Sequence, residues 1–501
     1  MAYSRPGVYI SERLLTAPVA GGVTADAAGA IVAPLAQGPE AVTLVNSWYE
    51  FAKNFGGYNA SYPATFEIAS FFNNGGRELY VKRLLSSDAD PASVDVETSG
   101  GATVFTATSK NKGTDGNNLR VLLTVGSVAS TYTLTVLKES GVANDTSDDV
   151  ILERYENIVF NDSASSDFAE TVINLVSANI VISNSASGIP VVGTYPLTGG
   201  TDGTAVVADD YLDYQSTNAS VFEQFSSLDR PLVIFFPAIH STLAADINDV
   251  YDDAVAWAES NNGFIVASTD DGKTVSEAVS FAASLTDTSH AAVYYPHLFI
   301  ADPLGRGAGA LRKIAPSGAV AGLYLATDAT RGVFKAPAGI SATLTGVVAV
   351  EKSFSSTELD LMNSANSPVN PIRQIPGAGL AVMGARTLKQ DGTANKYVNM
   401  RRSLIYIRKN LKNLTEFAIF ENNDERLWAR INSNITVFLN EYRNQGGLRG
   451  ATIGQSFFIK CDAENNSAQQ IANGEVHVQV GVALQYPAEF IVIDLSQKTL
   501  N

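Results

Sequence analysis

The stretch from Arg230 to Asp328 constrains the fold more than any other. In it "PLVIFFPAI" (231–239), "DDAVAWAESNN" (252–262), "GFIVAS" (263–268), "TVSEAVSFAASL" (274–285) and "AAVYYPHLFIA" (291–301) follow one another. The first, third and fifth are continuous apolar runs, each expected to form one strand. The second and fourth carry apolar residues at helical spacing. A strand that is apolar on both faces has to be covered on both, and intervening helices supply that cover. The order therefore predicts a central parallel sheet flanked by helices.

The flanks read differently. Residues 1–30 are expected to form an extended arm, because "RPGVYI" (5–10) is a short β-prone run and the small residues after it carry little apolar mass. Residues 31–90 hold a short helix in "NSWYEFAKNFGG", closed by Gly56 and Gly57, and a strand from Glu78 to Leu84. Residues 91–203 are rich in Ser, Thr, Gly, Asn and Asp, with short alternating runs such as "NLRVLLTV" and "TYTLTVL". They predict a mostly β insertion on the surface. Residues 204–345 contain the strand–helix alternation, and 346–501 read as an α+β C-terminal domain with two helices, "RRSLIYIRKNLKNL" and "DERLWARINSNITVFLNEYR". Two strands follow them, "EVHVQVGVAL" (475–484) and "EFIVIDL" (489–495). Val476, Val478, Val480 and Val482 alternate with Glu475, His477, Gln479 and Gly481, a period of two. The whole is a multidomain α/β chain with extended N- and C-terminal arms.

Chemistry is sparse in this sequence. "GRGAGA" (305–310) follows a strand and fits a loose G-x-G-x-x-G/A pattern, which makes a soluble α/β enzyme with a dinucleotide at that loop the competing class. The fingerprint needs a long helix behind the glycines. Pro303 precedes them and Pro316 is expected to cut the next segment to about two turns, so an ordinary glycine-rich loop is favoured. The histidines His240, His290, His297 and His477 stand in no nucleophile or metal motif. No catalytic, cofactor-binding or metal site is expected. Cys461 is the single cysteine, which excludes an internal disulfide and fits cytosolic synthesis. The start shows no signal-peptide pattern, and no apolar run approaches bilayer length, so membrane insertion is not expected.

Charge points the same way. The 34 Lys and Arg against 51 Asp and Glu leave a net charge of −17, which disfavours nucleic acid as a partner. Against that background, Arg401, Arg402, Arg408, Lys409 and Lys412 fall on one arc of a helical wheel, away from Leu404, Ile407, Leu411 and Leu414. The arc is expected to face an acidic partner.

One segment raises a sharper question. "PSGAVAGLYLATDATRGVFKAPAG" (316–339) gathers Asp328, Arg331 and Lys335 among small residues and Pro337. It resembles a segment of the contractile tail sheath proteins of phages, tailocins and phage-like injection devices. "NSWYEFAKNFGG", "FFNNGGRELYVKR", "GTDGNNLRV", "NPIRQIPGAGLAVMGARTL", "NNDERLWARINSNITVFL" and "YPAEFIVI" resemble further blocks of that family, in its order. Residues 120–200 resemble it least.

The resemblance implies a non-enzymatic structural subunit. In it, 316–339 would be a structural loop, with Asp328 and Arg331 paired across a turn and Lys335 and Pro337 nearby. Hexameric rings would stack around an inner tube and contract, with β-strands exchanged between subunits. Val8, Tyr9, Ile10, Val476, Val478, Val480, Val482, Phe490 and Val492 are the expected exchange residues. The arc from Arg401 to Lys412 would face the tube. Implied partners are further copies of the chain, the tube protein, and baseplate and terminator or cap proteins. Synthesis in a bacterial cytoplasm and assembly into a virion tail or phage-like particle would follow.

Overall fold

The computed structural model describes residues 27–139, 148–185, 187–217, 219–243, 245–307, 309–364, 366–389 and 394–489. Val8, Tyr9, Ile10, Phe490 and Val492 lie outside the described residues.

The chain opens with β1 (Ala28–Pro34), β2 (Thr43–Val45), α1 (Trp48–Phe55), α2 (Ala64–Asn73) and β3 (Leu79–Leu84). Ser47 caps α1 by accepting the Glu50 N–H, and Gly56 ends it at φ 92°. There follow β4 (Ser93–Glu97), β5 (Thr103–Ser109), β6 (Leu119–Val125), β7 (Tyr132–Lys138), β8 (Val150–Ile158), α3 (Ala169–Val176), β9 (Ile180–Asn184) and β10 (Gly193–Pro196). These form sheets β4-β5-β9 and β10-β6-β7-β8, which share a core of their own around the stacked rings of Phe105 and Phe160.

Next come α4 (Asp209–Leu212), β11 (Leu232–Phe235), α5 (Ile239–Thr242), α6 (Ile247–Asn261), β12 (Gly263–Ser268), α7 (Val275–Ser284) and β13 (Ala291–Tyr295). They lead into β14 (Leu298–Ala301), β15 (Leu311–Ile314), α8 (Ser317–Arg331), β16 (Val347–Val350), α9 (Ser356–Ser364), β17 (Val369–Ile375) and β18 (Gly379–Val382). The C-terminal part holds α10 (Val398–Thr415), α11 (Glu425–Asn444), β19 (Phe457–Lys460) and β20 (Gln479–Val482).

Eight strands form the main sheet in the order β18-β17-β13-β12-β11-β1-β3-β2. Neighbours from β17 to β3 are parallel, and the edge strands β2 and β18 are antiparallel. Alternate residues serve opposite faces. Ile31, Val81, Phe235 and Val266 pack under α2 and α8, while Ala30, Val32, Ile234 and Ile265 pack under α6 and α7.

Three expectations need correction, and the favoured loop reading of 305–310 agrees with the structure. The arm was expected to reach residue 30, yet β1 begins at Ala28 and lies in the middle of the sheet, its Ala28 N–H bonded to the Pro231 carbonyl. Small residues fit that crowded position and leave little apolar signal. "AAVYYPHLFIA" is two strands rather than one: β13 stays in the main sheet, and β14 joins the separate sheet β15-β14-β16. The glycines of 305–310 form the link between antiparallel β14 and β15, so no helix opens behind them. Pro316 does not shorten a helix but starts one, since α8 runs for 15 residues beyond it.

The strand order reverses between β1 and β11, where doubly wound sheets usually take ligands at the carboxyl ends. Here protein groups fill those ends. Buried Glu67 of α2 accepts the Ala238 N–H at 2.9 Å and the Ser317 hydroxyl at 3.0 Å. Burial pushes its carboxyl up to about 8, against the pull of those donors. The fully buried Arg83 donates to the carbonyls of Leu35, Ala36, Gly38 and Lys112, tying the loop after β1 to the β-rich insertion.

α8 lies unusually close to α2. A Cβ on Gly318 would sit 2.3 Å from the Glu67 carbonyl oxygen, and one on Gly322 would sit 2.2 Å from that of Phe71. Both obstacles are backbone, so the helices would have to part.

Two outcomes follow. Gly322→Ala is expected to lower stability by about 1–3 kcal/mol in urea melts, although Ala is the better helix former. A stabilised variant would show that the helices have room. Glu67 binds its proton more tightly folded than unfolded, so its contribution is full below about pH 4.5 and fades as pH rises toward 8. The melting temperature of Glu67→Gln relative to the parent should therefore rise between pH 5 and pH 8. A constant difference would contradict the raised carboxyl.

Candidate functional site at the basic helix

α10 carries the arc singled out in the sequence, and it is buried on both sides. Met400, Ile407 and Tyr406 pack against Trp428, Ile431, Ile435 and Leu439 of α11. Val398 and Ile405 belong instead to the core of the main sheet. The helix is thus a shared wall between the α/β body and the C-terminal module.

Its basic residues face the body, not an external partner. Arg402 forms a two-pronged pair with Asp328 of α8, with Nη1 2.8 Å from Oδ1 and Nη2 also bonded to Oδ2. The side chains are only 4% and 12% exposed, and the guanidinium lies 4.8 Å from the Tyr324 ring centre. Burial pushes the Asp328 carboxyl up, with Arg402 pulling the other way. Arg408 bonds Asn262 and the Glu259 carbonyl at the end of α6. Lys409 and Lys412 grip the two oxygens of Asp229 at 2.8 and 2.7 Å. Partial burial pushes Asp229 up, but the two ammonium groups hold it below its ordinary value. Arg401 is buried and bonds Asn395.

The arc was expected to face an inner tube; within this chain its five side chains are taken up by Asn395, Asp328, Asn262, Glu259 and Asp229. On a wheel it looks like a solvated face; the acids that pair with it, Asp328 and Asp229, come from α8 and the segment before β11, and the end of α6 supplies neutral acceptors. No local signal links Asp328 to Arg402 across 74 residues. The expected pairing of Asp328 with Arg331 fails for a related reason. Both sit on α8, where Asp328 points into the Arg402 contact and Arg331 is exposed in the last turn, near the negative end of the helix dipole. Lys335 donates to the carbonyls of Ala336 and Ala338, and Pro337 is buried. The 316–339 segment is thus a helix followed by a tight connection, in which Asp328 and Lys335 are held by contacts within the fold.

The first of the two expected C-terminal strands is shorter than expected, and the second lies outside the described residues beyond Glu489. β20 spans only Gln479–Val482 and pairs antiparallel with β19, with Val480 opposite Ile459 and Val482 opposite Phe457. Val476 and Val478 precede it, because Asn423, Asn465 and Asn466 side chains take up the backbone of Glu475 and His477 in place of a ladder. All four valines are partly buried against the C-terminal core. Among the described residues neither strand has a second strand partner. No group of three or more metal-binding side chains occurs among the described residues, and no helix there is long and apolar enough to cross a membrane.

Comparison with known proteins gives these features a context. Residues 390–498 match the family of the phage tail sheath C-terminal domain. Over 184 residues the chain is 24% identical to the tail sheath protein of Vibrio phage KVP40, covering 36% of this chain and 26% of that one. The chain thus spans about a quarter of the length of the curated relative it matches. Its fold is similar over 99% of its length to the contracted helical sheath of the anti-feeding prophage, covering 100% of that chain at 19% identity and a TM-score of 0.60. It is also similar to the sheath tail protein of Listeria innocua, with 93% and 96% of the two chains covered, 14% identity and a TM-score of 0.61. The fold is that of sheath subunits.

Removing one partner from the buried pair leaves a charge without its counterion. Arg402→Met is expected to cost about 3–5 kcal/mol in chemical denaturation, and adding Asp328→Leu should recover most of it. Additive losses in the double variant would show that the two residues do not act as a pair.

Proposed function

We propose that this chain is the sheath subunit of a contractile tail or injection device. Copies form six-membered rings that stack helically around an inner tube, and contraction drives the tube through a target envelope. Carrying this reading is the similarity in fold to sheath subunits along almost the entire chain, joined to the sheath-family match over residues 390–498. Its partners are then further copies of itself, the tube protein, the baseplate and a terminator or cap. The subunit is made in a bacterial cytoplasm and acts in a virion tail or phage-like particle.

The subunit's build suits that role. Its crevice at the strand-order reversal is filled by Glu67 and its partners, and 305–310 is a hairpin link, which favours a structural task over dinucleotide chemistry. Energy for contraction needs no nucleotide if the extended lattice is a kinetically trapped state. Subunits are linked by β-augmentation: the β-prone segments with Val8, Tyr9 and Ile10, and with Phe490 and Val492, add to the two-stranded β19–β20 sheet of a neighbour. Val480 and Val482 lie in the receiving strand, with Val476 and Val478 beside it.

Negative-stain microscopy of the purified protein tests the reading. Long tubes or stacked rings are expected at high concentration, and compact particles that never polymerise would overturn it. Removing residues 1–20 should leave the circular dichroism and melting of the body unchanged while abolishing the tubes. Tubes of normal length from the truncated protein would rule out the N-terminal segment as a link.

A further inference from the structure

The stretch Val482–Glu489, where the described chain leaves β20, forms no further strand beyond an isolated bridge of Leu484 to Leu448, yet it is pinned at several points. The Arg449 N–H donates to the Ala483 carbonyl, and the Gln485 side chain donates to the Leu448 carbonyl. Asn399 of α10 donates to the Gln485 carbonyl at 3.1 Å, and the rings of Tyr486 and Tyr397 meet edge to face. The strongest point is the last. Arg386 donates from Nε to Glu489 Oε1 at 2.9 Å and from Nη2 to Oε2 at 2.6 Å, while its Nη1 donates to the Asn363 carbonyl at 2.7 Å. The Tyr397 hydroxyl adds a bond to Glu489 at 3.3 Å.

Arg386 is itself fixed from behind. Asn370 of β17 accepts the Arg386 N–H at 2.8 Å and donates to the Arg386 carbonyl at 2.8 Å. The same amide donates to the Val293 carbonyl of β13. A short path of hydrogen bonds therefore runs from Glu489 through Arg386 and Asn370 into two strands of the main sheet. The carboxylate and guanidinium are 22% and 12% exposed, so the pair is sheltered without being sealed. That suits a contact that holds one end of a segment in place.

The geometry points to Arg386 as a positioning residue for assembly: through Glu489 it anchors the base of the segment that continues into "FIVIDL" (490–495) and sets where that segment meets a second copy of the chain. This rests on the sheath reading above, with its β-augmentation between copies. Anchoring the base lowers the conformational freedom that pairing must remove, and so favours association.

Full-length Arg386→Gln, Glu489→Gln and the swap Arg386→Glu with Glu489→Arg test it. In hydrogen exchange both single variants should speed exchange over 483–489 and leave the main sheet unchanged. Their critical concentration for polymer formation should rise about fivefold or more, and the swap should restore at least part of it. Faster local exchange with an unchanged critical concentration would overturn the proposal, as would unchanged exchange in both single variants. If Arg386→Gln alone loses body stability, Glu489→Gln, which keeps its shape and sits outside the sheet, decides the matter. A parent protein that never polymerises would count against the sheath reading instead.

Discussion

Two glycines four residues apart let α8 rest with its backbone against that of α2, and this contact decides where the end of α8 comes to lie. With the helix pressed onto the sheet, Asp328 in its last turn is buried beside Tyr324 and can be neutralised only by a cation brought from elsewhere. Arg402 supplies it, and its planar fork limits the directions in which α10 can approach. Lys409 and Lys412 on Asp229 then fix the rotation of α10 two turns further along. Its opposite face receives α11, and α11 carries β19 and β20. A wider gap between α8 and α2 would displace the whole series.

Much of this frame was legible from local pattern. The buried strands of the main sheet announce themselves as apolar runs, and Ser47 with Gly56 marks both ends of α1. Other features rest on contacts between distant residues and leave no local trace. The basic arc of α10 satisfies the pattern of a solvated face until acids 74 and 183 residues away are brought to it. "AAVYYPHLFIA" is apolar on both sides of Pro296 and His297, and its periodicity does not show that the second half leaves for another sheet. The glycines of 305–310 and of 318–322 look equally permissive, but one pair of strands needs a link and one pair of helices needs proximity.

The charges of α10 also show why buried ion pairs are poor counters of stability. Desolvating Asp328 and Arg402 costs about as much as their attraction returns. What the pair contributes is selectivity, because any other orientation of α10 leaves two buried charges unmatched. The more exposed Lys412–Asp229 contact adds little energy, and water can replace it. Orientation is set deep in the interface and merely trimmed at its rim.

In the proposed lattice, the places where the chain enters and leaves the body matter more than any crevice. Ala28 enters at β1, which has parallel partners on both sides, β11 and β3. A pull along that strand must shear two ladders at once, whereas an edge strand such as β2 could be peeled away one bond after another. Glu489 leaves through Arg386 and Asn370, which end on β17 and β13 of the same sheet. Tension from either side would thus meet one continuous, covered sheet. Its carboxyl ends are already occupied by Glu67 and Arg83, so the sheet that elsewhere serves as a ligand platform is available here as a beam between two attachment points.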